Sequence, residues 1–226
     1  MDGVAGKWPN SVCLALDLVQ AFDTIRWEYI WEVLHRFSIP ATLIDWMKLL
    51  YADPFARVKT GGHVSALYVI RKGTRQGCSL SPVLFALVIE PLAARLRELG
   101  EACGIPVSGR LHIVSICADD ILIYIRDVSS DFSGVAPEEF HEVSGLCVNY
   151  NKSYAFPLHY GMSPVVVTLN GSEIQWAPAT FRYLGINVYH IQVDLVEGNL
   201  GRAVRSLKSH LSFWKSLPLA VPGHIA

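Results

Sequence analysis

No apolar run in this 226-residue chain approaches the roughly 20 residues needed to cross a bilayer, so no segment reads as a transmembrane helix. The N-terminus, Met-Asp-Gly-Val-Ala-Gly-Lys-Trp-Pro, lacks a basic region followed by an apolar one, and a secretory leader is not expected. Cysteine is sparse and unpatterned. The five, at 13, 78, 103, 117 and 147, are odd in number, widely spaced and never paired as Cys-x-x-Cys, which argues against a zinc site and a disulfide framework. A reducing compartment, cytoplasmic or nuclear, fits these absences, with no membrane among the expected partners. An excess of positive charge is also missing: the formal net charge is −1, whereas duplex binding usually draws on a basic surface. There is no internal repeat and no linker long enough to force a domain boundary.

What is present is enough for a sizeable core, since 51% of the residues are hydrophobic. Charge is uneven along the chain. Between Arg26 and Arg75 basic residues outnumber acids, and Arg202, Arg205, Lys208 and Lys215 form a second basic cluster. Such clusters suit a nucleic-acid surface or a plain solvated face. Val12 to Leu16 reads as a buried strand. Asp23 is a plausible cap for an amphipathic helix from Arg26 to Phe37, with Trp27, Ile30, Trp31 and Leu34 on one face. After Pro40, Leu43, Trp46, Met47 and Leu50 mark a second helix. Gly61-Gly62 suggests a hairpin within Ala56 to Arg71.

Ser81-Pro82 predicts a capped helix start, with Val83, Leu84, Leu87, Val88 and Leu92 on its apolar face and a kink or early stop at Pro91. Leu111 to Ile116 and Ile121 to Ile125 read as paired strands with Asp119 and Asp120 at the tip. Residues 128–137 are Ser/Gly/Pro-rich and read as a loop or a damaged helix. Asn170-Gly171 signals a hairpin between Val165–Leu169 and Glu173–Trp176. Phe181 to Val188 reads as one further strand, and the residues from Asp194 as a helix interrupted at Gly198 and Gly201.

Three aspartates carry the chemistry. Asp17 follows Val12–Leu16 directly, and the Asp119-Asp120 pair interrupts two apolar runs about a hundred residues later. A carboxylate at the end of a buried strand is costly unless a cation or donor neutralises it, and an adjacent pair adds like-charge repulsion. Two divalent metals would relieve both and would suit phosphoryl transfer. Solvated aspartates in a turn are the alternative. Between the acidic elements lies Gly73-Thr74-Arg75-Gln76-Gly77-Cys78-Ser79-Leu80-Ser81-Pro82. Its glycines permit close backbone approach and Gln76 can present an amide, although an ordinary strand-to-helix turn has the same composition.

Taken together, Leu-Asp-x-x-x-Ala-Phe-Asp (16–23), Gly-Thr-Arg-Gln-Gly-Cys-x-Leu-Ser-Pro (73–82), Ala-Asp-Asp (118–120), Ser-Gly-Leu-x-Val-Asn-x-x-Lys-Ser (144–153) and Arg-Tyr-Leu-Gly-Ile (182–186) resemble the reverse transcriptases of LINE-type (non-LTR) retrotransposons. The motifs lie in that family's order and cover almost the whole chain. The resemblance implies an α+β fold: a reverse-transcriptase palm, an antiparallel sheet backed by helices, with partial fingers and a truncated thumb. Its implied domains are a palm with partial fingers over 1–190 and the start of a thumb over 191–226.

The implied activity is RNA-directed DNA polymerisation with an RNA template, a DNA primer, dNTPs and two Mg²⁺ ions, Mn²⁺ being a possible substitute. Asp17, Asp119 and Asp120 would be the catalytic metal site, assisted by the backbone carbonyl of Leu18. Phe22 would reject a 2′-OH by filling its space, or serve as a core residue. Arg75, Gln76 and Gly77 would line the template and nucleotide pocket. Lys152 would help protonate departing pyrophosphate or be a solvated loop lysine. Tyr183, Leu184 and Gly185 would form the primer grip.

Departures from the family pattern set a second expectation. Only sixteen residues precede Asp17, where the family carries its triphosphate clamp, and the chain stops where relatives continue through the thumb. Cys117 stands where a large aromatic usually precedes Ala-Asp-Asp. A clamp supplies charge-assisted bonds worth roughly 1.5–3 kcal/mol each. The isolated chain is therefore expected to be a poor polymerase, or an inactive relic that at most binds nucleic acid. A nucleotide cyclase on a related palm is disfavoured, because its Gly-Gly-acidic-acidic-Phe hairpin is missing.

Overall fold

The computed structural model describes residues 8–75, 77–98, 104–128, 138–159, 162, 165–177, 180–189 and 192–216, with main chain only at 138–139, 192–194 and 216. Gln76, Cys103, most of the 128–137 segment and the last ten residues, all subjects of the sequence reading, lie outside the described residues. Contacts divide the chain into two units, Met1–Trp176 and Ala177–Ala226.

The first unit is built on a six-stranded sheet. Its central strand is β1 (Val12–Leu16), the run expected from sequence. β1 pairs antiparallel with β9 (Asp120–Ile125) on one side and β10 (Tyr154–Pro157) on the other. β9 continues to the edge strand β8 (Val114–Cys117), and β10 leads to β12 (Ser172–Trp176) and β11 (Val167–Leu169). One pairing, β10 with β12, is parallel, a departure from the antiparallel sheet implied above. Side chains alternate across a strand. Val12, Leu14 and Leu16 of β1 and Ile121, Ile123 and Ile125 of β9 therefore share a face, and all six are buried.

That face is covered by helices. Helix α2 (Trp27–Arg36) buries Ile30, Val33 and Leu34, and α3 (Ala41–Leu50) buries Ile44 and Met47. Trp46 and Leu50, expected on the inner face of α3, are 67% and 57% exposed. The cap of α2 also differs from expectation. Asp23 lies inside a one-turn helix, α1 (Ala21–Thr24), and Arg26 occupies the N-cap. Helix α4 runs from Ser81 to Glu98 straight through Pro91, so no early stop occurs. Leu92, Ala93 and Leu96 are buried beyond the proline, and their packing offsets the lost backbone bond. Val83 is exposed, and the inner face is instead Leu84, Phe85, Val88, Ile89, Leu92 and Leu96.

Three ribbons complete this unit: β2 (Phe55–Ala56) with β5 (Tyr68–Val69), β3 (Lys59–Thr60) with β4 (His63–Val64) around Gly61-Gly62, and β6 (Ile105–Val107) with β7 (Arg110–His112). Leu111 thus belongs to β7 rather than to the strand preceding Asp119. After β9 come a short helix α5 (Glu138–Ser144) and a single 3₁₀ turn, Tyr150–Lys152.

The second unit pairs β13 (Thr180–Tyr183) with β14 (Ile186–Tyr189) and adds α6 (Gln192–Ser216). The single strand expected at 181–188 is a hairpin, because Leu184 and Gly185 both take left-handed backbone angles, φ 48° and 79°. Helix α6 is continuous through Gly198 and Gly201. Gly198 serves close approach: a Cβ there would meet the Tyr189 hydroxyl at 2.7 Å. Asn199 bonds both the amide and the carbonyl of Asn187. Among the described residues no helix is long and apolar enough to cross a membrane, and Cys13, Cys78, Cys117 and Cys147 are free thiols.

Candidate active site

Alternation that buries Leu16 and Leu18 turns Asp17 to the opposite face of the sheet. The β1–β9 ladder ends with Leu16 paired to Ile121, so Asp17 and Asp120 are the next residues along each strand and share the opposite side-chain direction. Cys117 pairs with Asp120, so Ala118 and Asp119 are the whole of the β8–β9 turn. Ala118 has φ 54°, the left-handed value that a two-residue hairpin turn requires at its first central position. All three carboxylates are partly exposed. Their mutual presence registers at Asp120, whose pKa is raised by desolvation first, then by the charges of Asp119 and Asp17. Charges from two distant segments thus meet at Asp120.

The Asp17 segment is held by two others. From one side come residues 144–153. The amide of Val19 donates to the Cys147 carbonyl at 2.9 Å, and the amide of Asn149 donates to the Asp17 carbonyl at 2.8 Å. Leu18 and Val148 form the bridge between these bonds without using their own amide or carbonyl groups, which leaves the Leu18 carbonyl pointing away from the 144–153 segment. Further along, the Arg26 amide donates to the Ser144 carbonyl at 2.9 Å. Gly145, at φ 80°, lies so close that a Cβ would meet the Thr24 carbonyl oxygen at 2.5 Å.

From the other side comes the 73–82 loop. Gly73 donates to the Ile25 carbonyl at 2.7 Å and Thr74 to the Phe22 carbonyl at 2.6 Å, while the Trp27 indole donates to the Gly73 carbonyl at 2.8 Å. A Cβ on Gly73, φ 86°, would strike the Asp23 backbone at 2.8 Å. These contacts explain the glycines better than an open loop would. Ser81 was expected to cap α4, but its hydroxyl donates back into the loop, to the Arg75 carbonyl at 2.6 Å.

The remaining site candidates fall into two groups. Phe22 is half-buried, with its ring stacked on Phe85 of α4 at 4.4 Å and 26°. Arg75 is exposed and reaches the Leu50 carbonyl at 3.4 Å. Gly77, φ 81°, is exposed with open space where a Cβ would stand. Lys152 is exposed on the 3₁₀ turn and enters no ion pair found among the described residues. Tyr183, Leu184 and Gly185 lie at the β13–β14 tip in the second unit, where Leu184 is 51% exposed. Beside Lys152, Ser153 carries no expected role, yet it is fully buried and its hydroxyl accepts a hydrogen bond from the Asp17 amide at 3.1 Å. Its place in the Asn-x-x-Lys-Ser pattern was the available signal.

As it stands, no group of three or more His, Cys, Asp or Glu side chains among the described residues is arranged to hold a metal ion. The donor set nonetheless fits a cation: desolvation and the charges of Asp119 and Asp17 make the ionised Asp120 carboxylate costly, and a positive charge beside it relieves that cost.

A central strand ending in one aspartate, faced by a hairpin bearing two more, on a helix-backed sheet, is a polymerase palm. Residues 2–188 match the family described as reverse transcriptase (RNA-dependent DNA polymerase). The chain belongs to that family, as a reverse transcriptase domain of the non-LTR retrotransposon type. It is 31% identical over 191 residues to the Pol polyprotein of the R2 element of Popillia japonica, covering 80% of this chain and 31% of that protein. The R2DM Pol polyprotein of Drosophila melanogaster is 29% identical over 76% of this chain and 17% of its own length. An uncharacterised 149 kDa protein of transposon TX1 from Xenopus laevis is 26% identical over 76% of this chain and 13% of its own. The chain thus spans less than a third of each of these relatives. Among solved structures, the telomerase of Candida tropicalis in complex with a fragment of telomeric RNA shares the fold. Its TM-score is 0.52 at 14% identity, over 82% of this chain and 29% of that one.

Proposed function

We propose that this chain carries the nucleotidyl-transfer centre of an RNA-directed DNA polymerase, taking an RNA template, a DNA primer and dNTPs. The observation that carries the reading is the β1–β9 register, which ends at Leu16 and Ile121 with Asp17 and Asp120 next in line and Asp119 in the adjoining turn, together with the charges of Asp119 and Asp17 felt at Asp120. Asp17, Asp119 and Asp120, with the Leu18 carbonyl, would hold two Mg²⁺ ions, or Mn²⁺ in their place. When bound, such a pair lowers the pKa of the attacking 3′-hydroxyl and stabilises the leaving pyrophosphate.

The chain's own residues supply the rest. The Phe22 ring, braced by Phe85, fills the space that a 2′-OH would need. Gly77 leaves room for a nucleotide or template backbone, and Arg75 and Gln76, the two residues before it in sequence, would line the same pocket. Lys152 offers an ammonium proton beside the strand end that carries Asp17. Tyr183, Leu184 and Gly185 would grip the primer; an exposed Leu at φ 48° is a strain of the kind that functional tips retain. The thumb reading of α6 rests on Arg202, Arg205, Lys208 and Lys215, a basic set suited to a duplex backbone.

A second reading is a catalytically silent palm relic, supported by the lack, among the described residues, of three acids already arranged to hold a metal. Primer extension separates the two. With Mg²⁺ or Mn²⁺ the purified chain is expected to extend a DNA primer on an RNA template slowly, and Asp119→Ala to abolish this. Failure to extend at protein excess, with Mn²⁺ still bound, would select the relic. Phe22→Ala tests the same site through its substrate: incorporation of rNTPs should rise relative to dNTPs.

A further inference from the structure

The strand β10 and the segment Cys147–Asn149 both pair with the β1 segment, but in different registers. Ala15 faces Tyr154, while Leu18 faces Val148. Three residues are looped out between the two registers, and they are the 3₁₀ turn Tyr150–Lys152. The gap falls at Asp17. In an unbroken antiparallel ladder Asp17 and Asn149 would exchange two backbone bonds. One survives, Asn149 amide to Asp17 carbonyl at 2.8 Å. The other is interrupted by a side chain. The Asp17 amide donates to Ser153 Oγ at 3.1 Å, and Ser153 Oγ donates to the Asn149 carbonyl at 2.8 Å. The hydroxyl, a donor and acceptor at once, is inserted into the missing rung. Ser153 is fully buried, so no bulk solvent reaches the position.

We propose that Ser153 is a positioning residue for the metal site: its inserted hydroxyl fixes the peptide of Asp17, and thereby the height at which the Asp17 carboxylate faces Asp119 and Asp120. The inference rests on the metal-site reading above and adds a residue to it. No other side chain hydrogen-bonds the Asp17 amide among the described residues. Groups that orient metal-binding side chains typically matter about 10–100-fold in metal affinity when removed.

The test is Mn²⁺ titration of the full chain, by calorimetry and by electron paramagnetic resonance, with hydrogen exchange at the Asp17 amide as a local readout. Ser153→Ala should weaken Mn²⁺ binding about tenfold or more and speed exchange at Asp17. Ser153→Thr, which keeps the hydroxyl, should restore both. Ser11→Ala provides the control for stability loss alone, because Ser11 is also buried and its hydroxyl donates to the Trp8 carbonyl at the far end of β1. It should leave Mn²⁺ affinity unchanged. If Ser153→Ala does not fold, Asn149→Pro carries the test. It removes the remaining backbone donor at φ −89°, close to proline's range, and should also weaken Mn²⁺. Wild-type Mn²⁺ affinity in the folded variant, or an equal loss in Ser11→Ala, overturns the proposal. Absence of Asp119-dependent Mn²⁺ binding in the wild-type chain overturns the metal-site reading instead, and this inference with it.

Discussion

Asp17 and the Asp119-Asp120 pair face one another, yet the chain holds them by opposite means. Asp17 begins a segment tied on both flanks by backbone bonds to residues 144–153 and 73–74, and two glycines are packed directly on its backbone. Asp119 stands in a two-residue turn whose outer strand, β8, is the edge of the sheet. The first carboxylate is fixed by tertiary structure, the second by hairpin geometry alone. Disturbance near Asp17 should therefore reach the fold, while truncation of Asp119 in the hairpin turn should reach the chemistry and leave the fold intact.

The sharpest contrast comes from Asp119→Ala. Primer extension should fall to background while the thermal midpoint stays within about 2 °C of wild type, since surface substitutions of this kind stay near 0.5 kcal/mol. A large drop in midpoint would break the comparison. On the clasped side the effect should invert. Gly145→Ala and Gly73→Ala each place a Cβ against backbone, at 2.5 and 2.8 Å, from a left-handed conformation. Each should cost about 2 kcal/mol or more, a fall of roughly 4–8 °C by calorimetry. Wild-type midpoints would show that the clasp is loose.

A smaller effect is expected at Asp120. Its folded pKa is raised, so the ionised carboxylate destabilises the metal-free protein above that value, and the penalty fades as pH falls through the folded pKa toward the unfolded one. Asp120→Asn should raise the midpoint at neutral pH, and its advantage should shrink on acidification. An advantage independent of pH would remove charge repulsion as the cause. Least of all, Cys117→Tyr should change stability by no more than about 0.5 kcal/mol, because Cys117 is exposed at the start of the turn.

Much of this was legible in the sequence where local chemistry decides the outcome. β1, the Gly61-Gly62 and Asn170-Gly171 turns and the position of Asp119 follow from periodicity and turn residues. The errors arose where tertiary packing overrides local signals. Pro91 does not end α4 because three buried side chains follow it, and Gly198 does not break α6 because the glycine faces Tyr189. Leu184-Gly185 hid a hairpin, since Leu is a poor left-handed residue and gave no turn signal. Ser153 was invisible for another reason: its partner lies 136 positions away, and a register shift cannot be read from one strand.

The β1–β9 register also bears on how the chain avoids misfolding. Slipping β9 by one residue would send Asp120 into the helix-covered core and carry Ile121, Ile123 and Ile125 to the opposite face of the sheet. A lone carboxylate buried against the helices would make that alternative costly. Asp120, proposed above for the chemistry, thus also penalises misalignment of its strand, and Asp120→Asn should fold with lower fidelity even as its native state gains stability.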